Sequence, residues 1–186
     1  ENLKIKRQED KLREVFAQDK KNYKTADPYV HLIDVFNKRE SFYYQQETKD
    51  ELALPKLFNK IRTPSSEDYA IVTKDEFKKN FKELCNGVFK GLDWSNTFVA
   101  GGAVLGSVMS VTDRSGFKDS DIDLFLYGLT EEEANEKLKH IYFVVQSNTK
   151  ATSEVIRTKN AVTILGQYPH RHIQIVLRLY KSPAEI

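Results

Sequence analysis

The stretch 98–127, FVAGGAVLGSVMSVTDRSGFKDSDIDLFLY, constrains this chain more than any other. It reads as a short apolar strand, a Gly101-Gly102 turn, a short helix, a polar loop and a second strand that carries Asp121 and Asp123. Side chains two apart on a strand share a face, so the two carboxylates project side by side. Such a pair repels unless something cationic sits between its members, and a divalent metal is the natural candidate.

The elements around this stretch follow from periodicity and caps. Thr73 with Glu76 forms a capping box that opens an amphipathic helix, with apolar positions Phe77, Phe81, Leu84, Cys85, Val88, Phe89 and Leu92 and a stop at Gly91. Cys85 lies within that stripe and reads as a buried structural thiol. A second box, Thr130 with Glu133, opens a helix to about Val145. Residues 153–165 read as a hairpin turning at Lys159-Asn160, 171–180 as a strand closed off by Pro183, and 68–72 as a short strand. Upstream, 1–25 is a charged helix with a thin stripe of Ile5, Leu12, Val15 and Phe16. Residues 27–62 are irregularly helical, and Thr63-Pro64-Ser65-Ser66 is a loop. We therefore expect an α+β chain in which 1–66 is a helical N-terminal extension and 67–186 a core of mixed sheet with flanking helices.

Bulk numbers narrow the function classes. A formal net charge of +2 is too small to argue nucleic-acid binding by overall electrostatics, so any basic surface has to be local. The single cysteine excludes an intrachain disulfide and a Cys-based zinc cage, and with no signal-like segment an intracellular compartment is expected. No apolar run reaches the length of a membrane span, so no membrane partner is expected. The chain begins without Met and stops just after an apolar strand, as a piece of a longer protein would.

Several phosphate and metal motifs fail on the central stretch. Gly101 and Gly106 have P-loop spacing, but Ser107-Val108 stands where Lys-Ser/Thr is required. The dinucleotide pattern GxGxxG is absent. Asp119, Asp121 and Asp123 mimic the start of an EF-hand loop, yet Leu124 replaces its Gly and Thr130 its final Glu. His170 and His172 share a strand face, but no neighbouring Cys or acid completes a zinc set.

The pieces FVAGGAV and SDIDLFLY, in that order and with those element types, resemble the nucleotidyltransferase superfamily that includes poly(A) polymerases and CCA-adding enzymes. The resemblance covers roughly residues 95–186. It implies a nucleotidyltransferase-like core moving a nucleotidyl group from an NTP to a hydroxyl acceptor, such as an RNA 3′ end or a protein. It makes Asp121 and Asp123 catalytic ligands of Mg²⁺ (or Mn²⁺), and Gly101, Gly102 and Ser107 phosphate contacts. The physics suits that chemistry, since glycine lets backbone approach phosphate and helix-start N–H groups favour negative charge. Arg157 and Arg178, in strands with apolar neighbours, rank first as triphosphate or RNA contacts, ahead of Lys159, His170, Arg171 and Lys181.

The sequence departs from that family at one position. The hydrophobic-acid-hydrophobic strand expected to supply a third carboxylate reads Ile173-Gln174-Ile175, and a neutral amide can neither ligate strongly nor take a proton. Enzyme status is left open on that ground. The alternative reading is an inactive, nucleotide-binding or scaffolding domain working with other domains or subunits of a larger assembly.

Overall fold

Two Thr-x-x-Glu boxes set the starts of the two longer helices. The computed structural model describes residues 7, 29, 32–42, 69–111, 114–117, 119–150 and 153–186. Helix α1 spans Lys74–Leu84: Thr73 accepts from the Glu76 N–H, and the Thr73 N–H donates to Glu76 Oε2 at 2.8 Å. The expected run to Leu92 is cut short because Asn86 and Gly87 take positive φ (51° and 71°), which ends the α1 ladder in a series of turns. Cys85, Val88, Phe89 and Leu92 are nevertheless buried, so the apolar stripe holds although the helix does not. Burial pushes the Cys85 thiol up to about 12, the signature of an inert structural cysteine.

Strand β1 (Thr97–Ala100) leads through Gly101 into α2 (Gly102–Val108), and β2 (Ile122–Tyr127) follows the polar loop. Helix α3 (Glu131–Thr149) starts at the Thr130–Glu133 box, with three glutamates in its first turn where the helix dipole favours them. It runs past Val145 to a left-handed cap at Lys150. Strands β3 (Val155–Arg157) and β4 (Ala161–Ile164) form the expected hairpin, and β5 (Ile173–Tyr180) closes the sheet. Of the expected strand 68–72, the described residues 69–72 form no strand, and Ile71 makes an isolated bridge to Met109.

The sheet order is β1-β2-β5-β4-β3, antiparallel except for the parallel pair β2–β5. A parallel pair needs a crossover, and α3 with the β3–β4 hairpin supplies it. Strand β2 alternates strictly between buried and half-buried residues. Ile122, Leu124 and Leu126 face the core beside Ile173, Ile175 and Ile164, against Ala134, Ile141 and Val145 of α3. The other face of the sheet is the half-buried one, and it carries Asp123.

Of the expected helical extension, the described part 32–42 forms turns and a short 3-10 segment, Arg39–Ser41, instead of an α-helix. Leu32 and Ile33 stay exposed, so that apolar face is not buried as a helix stripe would be. Phe36 packs on Phe77 with ring centroids 5.4 Å apart, and Arg39 donates to the Ile71 carbonyl at 2.6 Å. The charged helix expected over 1–25 and the loop 63–66 lie outside the described residues, apart from Arg7.

Candidate functional site

Strand register assembles one polar row across the sheet. Asp123 lies opposite Ala100 of β1 and beside Gln174 of β5, and Gln174 lies beside Thr163 of β4. Asp121 sits two residues earlier, just ahead of β2. There the Ile122 N–H donates to the His172 carbonyl at 3.0 Å and joins the start of β2 to the approach to β5. The expected juxtaposition of Asp121, Asp123 and Gln174 is therefore present as geometry.

The two glycines serve that geometry from inside the protein. Gly101 has φ of +81°, and a Cβ there would stand 2.5 Å from Asp123 Oδ2. A Cβ on Gly102 would stand 2.7 Å from Ser120 Oγ. The room that glycine provides is thus taken up by the chain's own Asp123 and Ser120 side chains. Burial, and then the neighbouring Asp121, hold the Asp123 carboxyl above the usual aspartate range.

Three expected contacts fall elsewhere. Ser107 is fully buried, and its hydroxyl donates to the Ala103 carbonyl at 2.7 Å inside α2, so it faces the interior. Arg157 belongs to the row through Val162 and Ile175, which takes the sheet face opposite Asp123. Arg178 lies toward the far end of β5 from the carboxylates, with its guanidinium 5.1 Å from the Tyr180 ring and 3.9 Å from Glu185.

The arginine that reaches the carboxylate region is Arg171. It donates to the main-chain carbonyls of Phe117 and Ser120 and so fixes the loop that delivers Asp121. Arg114 likewise donates to the Gly106 and Met109 carbonyls. Between α1, this loop and the turn 166–172 lies a cavity of about 720 Å³, with Asp121, Asp119, Glu83, Arg114, Arg171 and His172 in its walls. The His172 Nδ1 accepts the Gly166 N–H at 3.0 Å, which leaves its hydrogen on Nε2. The sequence offered a signal for Arg171, since it directly precedes the strand of Gln174. Its nearness to Asp121 depends on β5 running parallel to β2.

The expected Mg²⁺ or Mn²⁺ centre has only part of its ligand set. Asp121 and Asp123 supply two carboxylates, the adjacent Gln174 is neutral, and no group of three or more His, Cys, Asp or Glu gathers to hold a metal among the described residues. The described residues do not make a closed centre for a hard cation. Among the described residues no helix is long and apolar enough to cross a membrane.

Comparison with known proteins places the chain in another family than the motifs suggested. A family model described as "Gad2: Gabija anti-defense 2 family protein" matches residues 75–186. The chain is also 31% identical over 129 residues to the uncharacterized protein R883 of Acanthamoeba polyphaga mimivirus, an alignment covering 61% of this chain and 26% of that protein. The chain thus spans about a quarter of that relative's length. No solved structure matches the chain.

The family match overturns the nucleotidyltransferase reading: the resemblance itself, nucleotidyl transfer to a hydroxyl acceptor, and the inactive nucleotide-binding alternative. The reason is physical as well as comparative. A strand, a Gly-Gly turn, a short helix and an Asp-x-Asp strand make up a small structural unit, and here its glycines accommodate Asp123 and Ser120 within the chain.

Proposed function

Because the chain belongs to the Gabija anti-defense 2 family, we propose that it counteracts the Gabija anti-phage defence, and does so by binding a component of that system. The single observation carrying this reading is the family match over residues 75–186, which takes in all five strands and almost the whole of each helix. A relative from a virus is in keeping with a gene directed against a host.

The test is phage plating on bacteria that carry Gabija, with and without expression of this chain. Plating efficiency is expected to rise to that of cells lacking Gabija, and an unrelated defence system is expected to keep its full effect. Unchanged protection with the chain visibly expressed sinks the reading. So does equal relief of the unrelated system, which would mark a general effect on the host.

A further inference from the structure

Strand β3 is the outermost strand of the sheet, and among the described residues no strand pairs with its far side. The Leu165 N–H donates to the Glu154 carbonyl and the Thr158 N–H to the Ala161 carbonyl, each at 2.8 Å. Glu154 and Thr158 therefore turn their backbone groups toward β4. Alternation turns those of Ile156 the same way, opposite Thr163. The N–H and C=O of Val155 and Arg157 point outward, as bonding sites for a further strand. Residues 154–160 are exposed throughout, with Val155 at 46% and Ile156 at 51%. Strand β1, at the opposite edge, has only buried and half-buried residues, so β3 is the more accessible edge.

We propose that β3 takes up an extended segment of a protein partner as a further antiparallel strand, with acidic residues facing Arg157 and Lys159. Backbone bonds to Val155 and Arg157 supply affinity in such an addition, and side chains supply selectivity. Val155, Arg157 and Lys159 lie on one face of the strand and its turn, Ile156 on the other. Arg157 makes no ion pair among the described residues, so an acid directly opposite it forms a favourable cross-strand pair. A second acid two residues earlier reaches Lys159, and β-branched residues pack on Ile156 and Val155. The segment therefore reads acid-x-acid-apolar-apolar. A second copy of this chain fits less well. Residues that exchange bonds stand opposite one another, so Arg157 would face Ser153, Val155, Arg157 or Lys159 of an antiparallel copy. None of these is acidic, because Glu154 belongs to the alternate set. The biological use of this edge rests on the reading of the chain as an inhibitor that binds a protein of the defence system; its pairing chemistry does not.

The experiment is fluorescence anisotropy on the purified chain with a labelled peptide, Glu-Thr-Glu-Val-Val between Gly/Ser flanks, and with its Lys-Thr-Lys-Val-Val twin. The acidic peptide is expected to bind about ten-fold tighter than the lysine twin, with affinity falling as salt rises. Arg157→Glu with Lys159→Glu is expected to reverse that order, which a misfolded variant would not do. N-methylation of the second Glu and the second Val removes the donors that face the edge, and is expected to lose about ten-fold. The same modification of Thr and the first Val, whose N–H groups face away, is expected to stay within about two-fold. Val155→Pro removes an edge-facing N–H, leaves the bonds to β4 intact, and is expected to weaken binding several-fold. Equal losses from the two methylation patterns overturn the proposal, as does an unreversed order in the charge-swapped variant or unchanged binding by Val155→Pro. So does an acidic peptide that does not bind. A dimer in sedimentation that Val155→Pro dissolves would put a second copy on this edge and likewise overturn it. Because no defence system is present in these assays, their failure leaves the plating result standing. Retained peptide binding with failed plating sinks the functional reading alone.

Discussion

The Cβ that Gly101 lacks would lie 2.5 Å from Oδ2 of Asp123, so the turn after β1 and the carboxylate of β2 occupy complementary space. Gly101→Ala meets two costs there: a left-handed backbone at φ +81° and a collision with a carboxylate oxygen. The expected loss is about 1–3 kcal/mol from the backbone conformation, with the collision in addition. Asp123→Ala made in the Gly101→Ala background should recover the collision and leave the backbone cost. Urea denaturation of the four proteins of this cycle would give a coupling of about 0.5 kcal/mol or more between the sites. Strictly additive losses would show that the two residues do not share the space.

Asp123 also makes stability depend on pH, with a definite sign. Its folded pKa is raised above the ordinary value of 3.8, by burial first and by Asp121 second. Below 3.8 the group is protonated in both states and has no effect. As pH rises through the raised folded pKa, the folded state must carry a disfavoured charge, so the group costs stability above that window. Asp123→Asn is therefore expected to raise the denaturation midpoint at pH 7, with the gain vanishing below pH 3.8. A gain of the same size at pH 3 and pH 7 would assign it to something other than ionisation.

The parts of this fold that show in the sequence are those decided by neighbours along the chain. Both capping boxes, the Gly101 turn, the hairpin at 159–160 and the alternation of β2 are local, and each is where its residues place it. The end of α1 was legible too, in Asn86-Gly87, but the apolar spacing through Leu92 hid it because those residues stay buried without a helix. The surroundings of Asp121 were not legible. Arg171 comes near it through the parallel pairing of β2 with β5, a contact across 51 residues that no local pattern encodes. For the same reason Arg157 and Arg178 looked suitable: strand membership shows in composition, but facing and distance depend on register. Family was the least legible property, since a short Gly-Gly and Asp-x-Asp unit fixes local geometry without fixing ancestry.

Arg171 is expected to be a structural clasp for the loop before β2. Replacing it with Met leaves the Phe117 and Ser120 carbonyls without their charged donor, a loss of about 1–3 kcal/mol. Arg171→Lys should recover only part, because one ammonium does not reproduce the fork. Hydrogen exchange gives the local readout: amides of 115–122 should exchange faster in the Met variant while those of α3 hardly change. Uniform acceleration over the whole chain would mean that Arg171 stabilises the fold globally and not this loop.

The cap of α1 tests the opposite pH sign. Glu76 is held below its ordinary value of 4.5, first by the Thr73 hydroxyl, which donates to Oε2 at 2.7 Å, and then by the Thr73 N–H. A depressed carboxylate contributes stability that is fully present above 4.5 and is lost as pH falls through the lower folded value. Thr73→Ala removes both the hydroxyl that binds Glu76 and the oxygen that accepts the Glu76 N–H. It is expected to cost about 1 kcal/mol at pH 7, the usual worth of such a cap. The difference should narrow as pH falls below 4.5, where Glu76 is protonated in the variant before it is in the original chain. Thr73→Ser keeps the hydroxyl and should stay close to the original across the range. Denaturation of the three proteins at pH 7 and pH 3 decides the matter: a Thr73→Ala loss that stays constant between them would remove Glu76 ionisation from the account of how α1 begins.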